Sequence, residues 1–196
     1  MMHGLINRAF QAFVSTTFGE DSWQAIMDTA ELGFSEFEAM LTYTDEQSQI
    51  MLRTAEDILK RPLPEMLEDM GTFLVSNPQL EALRRLLRFG GVNYVEFLHS
   101  LDDLPDRARL AVADLNLPGL ELIEQAPGQF ELHCQPGLPG YAHVLMGVLR
   151  AMADDYGDLV FLDHSGTQDN AEVIAITLVE TEFAEGRAFD LGAHSL

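Results

Sequence analysis

Cysteine and positive charge are both scarce in this chain. Cys134 stands alone among 196 residues, so a disulfide framework and a cysteine-based zinc site are excluded. Lys and Arg together number 11 against 32 Asp and Glu, a formal net charge of −21. That balance argues against nucleic acid or an anionic membrane surface as a partner, because phosphates are repelled. No segment approaches the ~20 apolar residues of a membrane span. The opening MMHGLINRAF has no basic flank followed by a long apolar run, so a cytoplasmic protein is expected. Also missing are a G-x-S-x-G elbow, a P-loop and any spacing that sets a nucleophile beside a base, so no enzymatic role is expected. Asp102-Asp103 reads as a helix break, and Asp154-Asp155 as a solvated helix end.

The first half carries helical periodicity. Leu5, Ile6, Ala9, Phe10, Phe13 and Val14 make one apolar stripe, and Trp23, Ile26 and Met27 begin a second helix. Phe37 to Tyr43 alternates well enough to predict a short strand. Thr44 with Gln47 three residues on predicts a capping box, opening a helix that Pro62 and Pro64 stop near Leu59. Helices are predicted over Pro64–Val75, Pro78–Phe89, Val92–Leu101 and Pro105–Ala113. The second half alternates instead. Leu120–Gln125 and Gln129–Gln135 flank Ala126-Pro127-Gly128 as a hairpin. A stripe from Tyr141 to Met152 predicts a helix. Leu159–Asp163 and Glu172–Glu180 predict a second hairpin with its turn at Ser165–Asn170. Helices followed by β-β-α-β-β imply an α+β fold with an antiparallel sheet.

Several segments carry a family likeness. The opening HGLINRAFQAFVSTTFGEDSWQAIM, the segment EMLEDMGTFL at Glu65–Leu74, and the run FLHSLDDL at Phe97–Leu104 resemble, in order, motifs of the heme NO/O2-binding (H-NOX) family. That family comprises the heme domain of soluble guanylate cyclases and its bacterial relatives. The resemblance covers essentially the whole chain. It implies one domain over 1–196: a helical lobe over about 1–65, a helix-plus-sheet lobe over about 66–185 with a helix packed on the antiparallel sheet, and a flexible tail over about 186–196.

The same resemblance implies heme, but two motifs depart from it. The family's axial histidine follows L-D-x-L directly, and here that place is Pro105. A proline nitrogen lies in the peptide bond and offers iron nothing. The Tyr-x-Ser-x-Arg triplet that grips the heme propionates reads Cys134, Pro136 and Leu138. Leucine cannot replace the bidentate guanidinium. By resemblance the former pocket wall comprises Ile6, Phe10, Val144, Leu145 and Val148, with Leu101, Leu104 and Pro105 on the proximal side and Cys134 at the propionate edge. No cofactor is therefore expected. His99 and Cys134 are the candidate substitute ligands should heme bind after all. His133 is expected to point away from Phe130, Leu132 and Cys134, His143 away from the helical stripe, and His164 and His194 to sit in a turn and a tail.

Without heme, the vacated volume is either filled by side chains or open to an apolar small molecule. The expected role is regulatory. Stand-alone members of the family control a histidine kinase or a cyclic-di-nucleotide enzyme, and the segment from Asp103 to Ala113 corresponds to their signal-transmitting helix. The alternative is a heme-based NO/O2 sensor with a substitute ligand.

Overall fold

The computed structural model describes residues 1–181 and 183–189. In the N-terminal lobe, His3 caps α1 (Gly4–Phe18), its Nδ1 accepting from Leu5 N–H at 3.2 Å. The predicted stripe forms as expected: Phe10, Phe13 and Val14 are buried against Trp23, Ile26 and Met27 of α2 (Glu20–Ala30). The Thr44–Gln47 capping box opens α3 (Asp45–Leu59), with Gln47 N–H donating to Thr44 Oγ1 at 3.1 Å. That box satisfies amide groups that the first helical turn leaves orphaned.

The expected strand over Phe37–Tyr43 is corrected. Only Thr42–Tyr43 (β2) is extended, pairing antiparallel with Met2–His3 (β1). The reason lies in side-chain competition for backbone groups. Phe37 N–H donates to buried Gln11 Oε1 at 3.0 Å, and Glu38 N–H donates to the Tyr43 hydroxyl at 2.8 Å. With those donors already satisfied, the segment folds as a loop that plugs Phe37 into the core beneath Trp23.

At the lobe boundary lies α4 (Leu63–Ser76), whose Pro64 occupies the tolerated first turn; its Met66, Leu67 and Met70 pack in the core of the first lobe and its Val75 in that of the second. The helix expected over Pro78–Phe89 divides into a 3-10 turn (Pro78–Leu80) and α5 (Glu81–Arg88). Next come α6 (Tyr94–His99), a second 3-10 turn (Leu101–Asp103) and α7 (Leu104–Ala111). Strands β3 (Leu120–Ala126), β4 (Gln129–Cys134), β5 (Leu159–Gln168) and β6 (Ala171–Glu180) form one antiparallel sheet in the order β3-β4-β6-β5. On it packs α8 (Tyr141–Tyr156). Phe130, Leu132 and Cys134 face the core opposite Ile176, Ile174 and Glu172. The second hairpin is longer than expected. β5 continues through Ser165, and the turn shrinks to Asp169-Asn170, both at positive φ (47° and 71°). Short polar residues tolerate that conformation, and two-residue turns of this hand suit strand twist.

The lobes meet where α4 crosses α8, and two glycines allow it. A Cβ at Gly71 would collide with the Val144 carbonyl oxygen, and one at Gly147 with the Glu68 carbonyl oxygen. Thr72 Oγ1 adds a hydrogen bond to the Gly147 carbonyl at 3.3 Å.

Asp155, expected at a solvated helix end, is instead buried. Its carboxylate accepts from Arg84 Nε and Arg88 Nη1, each at 2.9 Å. Arg84 also pairs with Glu81 at 2.9 Å, and the charges on Asp155 and Glu81 raise its pKa although burial opposes them. Part of the segment expected as a flexible tail is docked on this cluster. Arg187 N–H donates to the Asp155 carbonyl at 2.8 Å, and Arg88 lies 4.9 Å from the Phe189 ring centre. Residues 190–196, including His194, lie outside the described residues.

Gly71→Ala and Gly147→Ala should each lower stability by about 2 kcal/mol or more, because the obstacle is backbone and neither helix can yield cheaply. Urea denaturation reads the effect. Asp155→Asn should cost about 3–5 kcal/mol in the same measurement, since two guanidiniums would be left short of a buried counter-charge.

Candidate functional site

The nine candidate site residues separate into three places. Ile6 and Phe10 of α1 and Val144 of α8 converge between the lobes. With Leu67 and Met70 of α4 they line an apolar pocket of about 40 Å³. Leu101, Leu104, Leu145 and Val148 belong to the core of the sheet lobe, each buried to 6% exposure or less. Pro105 is buried in the first turn of α7. Neither it nor those four lines the inter-lobe pocket. Cys134 lines a separate cleft of about 430 Å³, open to solvent, between the start of α3, the loop 135–140 and the end of the β5–β6 hairpin. Sequence reasoning had placed Tyr141 only in the α8 stripe, yet it lines both the pocket and the cleft.

The histidines fall largely where they were expected. His99 ends α6 exposed, its ring edge-on to Phe130 with centroids 5.9 Å apart. His133 faces away from the core and lies 3.2 Å from Glu131. His164 differs: it lies within β5 rather than in a turn, its ring 4.7 Å from that of His143. Among the described residues, no group of three or more His, Cys, Asp or Glu is arranged to hold a metal ion.

Burial governs the chemistry of the polar groups near the pocket. It pushes the Cys134 thiol up to about 12, with a further push from Glu172. It raises the Tyr141 hydroxyl as well, and the neighbouring Cys134 adds to the shift. Both groups are therefore neutral at physiological pH. The Tyr141 hydroxyl is buried and has no hydrogen-bond partner.

A helical lobe joined through a close helix crossing to a sheet lobe, with an apolar pocket between them, defines a two-lobed sensor-domain architecture. The profile of the Haem-NO-binding (HNOB) family matches residues 3–164, and the chain belongs to that family. An H-NOX protein from K. algicida, solved in its Fe(II) unliganded state, shares the fold with a TM-score of 0.79 at 15% identity, covering 94% of this chain and all of that one. An H-NOX protein from S. oneidensis gives 0.72 at 15% identity over 91% of this chain and 100% of its own. Among curated proteins, soluble guanylate cyclase gcy-32 of Caenorhabditis elegans is 26% identical over 81% of this chain and 24% of its own length. Soluble guanylate cyclase gcy-35 of the same organism is 29% identical over 78% and 22%. The chain thus spans under a quarter of those relatives. No helix among the described residues is long and apolar enough to cross a membrane.

Burial pushes the Cys134 thiol up to about 12, so it stays protonated at pH 8. An aromatic disulfide thiol reagent at that pH should leave the folded protein unmodified and titrate one thiol after guanidinium is added. Absorbance of the released thiol reads both states.

Proposed function

We propose that this chain is a regulatory domain of the Haem-NO-binding family that works without iron-anchored heme and acts by contact with a signalling enzyme. The observation that carries this reading is the residue at position 105. The family resemblance puts the iron ligand there, and a proline nitrogen, bonded to the preceding carbonyl carbon, has no lone pair for a metal. The surroundings agree with that reading. Leu138 offers nothing to a propionate, where a guanidinium would pair with it. The inter-lobe pocket, at about 40 Å³, is an order of magnitude smaller than the ~300–1,000 Å³ of small-molecule sites. The residues at this place do not fit an iron-anchored heme, and the volume favours a packed interior over an apolar small-molecule ligand.

Substitute ligation finds no support in the geometry. His99 is exposed at the end of α6 and is not among the residues that line the pocket. Cys134 lines the open cleft and not the inter-lobe pocket.

The signalling surface in this reading is α7. It opens on Leu104 and Pro105, directly after the acids Asp102 and Asp103, and carries Leu110 at 89% exposure. The partner class is a signalling enzyme, in keeping with the soluble guanylate cyclases among the relatives. A histidine kinase or a cyclic-di-nucleotide enzyme is the specific expectation.

Titration with ferrous heme should give no sharp Soret band that shifts with NO. Pro105→His alone should not create one, because the space between the lobes is filled. A ligand-responsive band in the parent chain, lost in His99→Ala or Cys134→Ala, would establish the heme-sensor alternative instead. Affinity capture with co-encoded kinases and cyclases should recover a partner that Leu110→Asp releases. Failure to retain any of them at native salt would refute the contact role.

A further inference from the structure

We infer that the free edge of β5 is a self-association surface, on which β5 of a second copy of this chain pairs antiparallel. β5 ends the sheet order β3-β4-β6-β5, and among the described residues its outer backbone groups bond to no other segment. Long edge strands are ordinarily blunted by proline or lysine, and the ten residues of β5 (LVFLDHSGTQ) include neither. Register breaks at Leu159/Val160 and at His164/Gly166 leave Val160–His164 as a regular stretch between them. Its one carboxylate is Asp163.

The side chains point to the same occupant. Val160 and Leu162 pack against the core of the sheet lobe but are only half-buried, with no strand flanking them on the open side. A neighbouring strand would complete their burial. On the opposite face Phe161 is 64% exposed, and Asp163 beside it is exposed too. A two-fold axis through Leu162 sets that residue against the partner's Leu162, Val160 against the partner's His164, and Phe161 against the partner's Asp163. Like faces then lie side by side, as antiparallel pairing requires, and no two carboxylates are opposed. An axis through Asp163 would oppose two carboxylates, and one through Phe161 would run the pairing into the break at Leu159. The stretch is short, so the interface falls below the ~1,200 Å² of stable complexes and the dimer is weak and reversible. Two bodies of net charge −21 also repel each other, a cost that salt screens.

The test is sedimentation velocity of the full chain from ~10 µM to ~1 mM, the range of a weak interface. A monomer–dimer equilibrium is expected, with a dimer fraction that rises as salt is added. Backbone deuterium exchange should slow over residues 160–164 as concentration rises. Phe161→Asp should weaken the dimer about tenfold, because it sets carboxylate against carboxylate at two symmetric positions. Phe161→Lys should retain the dimer, since its ammonium meets the partner's Asp163. Phe89→Asp, at a position 72% exposed just after α5, should leave association unchanged. Thermal unfolding of each variant confirms that it is folded. A monomer throughout that range would overturn the proposal, even if a signalling enzyme in place of a second copy slowed exchange at β5. An equal loss in Phe161→Lys would mark an apolar face contact, and a loss in Phe89→Asp a contact elsewhere; either overturns the edge pairing. So would a dimer without slowed exchange over residues 160–164, or one that dissociates as salt is added.

Discussion

The contact on which the architecture depends is backbone against backbone: α4 and α8 touch at Gly71 and Gly147 with no side chain between them. Helices normally stand 8–10 Å apart because side chains separate them. Removing both Cβ atoms lets the helices close, and this close approach sets the geometry on either side. Leu67 and Met70 on one helix and Val144 on the other are brought against Phe10 of the first lobe, which leaves little unfilled volume between the lobes. The small pocket is thus a consequence of the crossing as much as of the residues that line it.

Charge is distributed unevenly between what holds the fold and what faces water. Several ion pairs are exposed, such as Arg8–Glu36 and Arg109–Asp106, and contribute little. The Arg84–Asp155–Arg88 cluster is the exception. Its members are almost fully buried, and it joins α5 to the end of α8 and to residues 187–189. Buried ions are costly to desolvate, so their value lies in being fully paired and in specifying one arrangement of the groups around them. The chain leaving the sheet is anchored there, on the same lobe as α7.

Two kinds of volume lie side by side at the lobe boundary, divided by Tyr141. One is small and apolar. The other is open, acidic at its rim and lined at depth by a neutral thiol and hydroxyl.

Sequence alone determined what local pattern and family motif determine. The α1 stripe, the Thr44–Gln47 capping box, the first hairpin and the alternation of Phe130, Leu132 and Cys134 follow from periodicity and turn chemistry within a few residues. Tertiary structure decided whatever needed a distant partner. Phe37–Tyr43 had the alternation of a strand, but Gln11 and Tyr43 took the donors of Phe37 and Glu38. Asp155 looked solvated beside Asp154 until two arginines about 70 positions earlier neutralised it. The nine candidate residues looked like one pocket, yet a wall inferred by resemblance carries no information about how closely two helices approach. That distance depends on two glycines 76 positions apart meeting across the lobes, a coincidence in space that no local window of sequence contains.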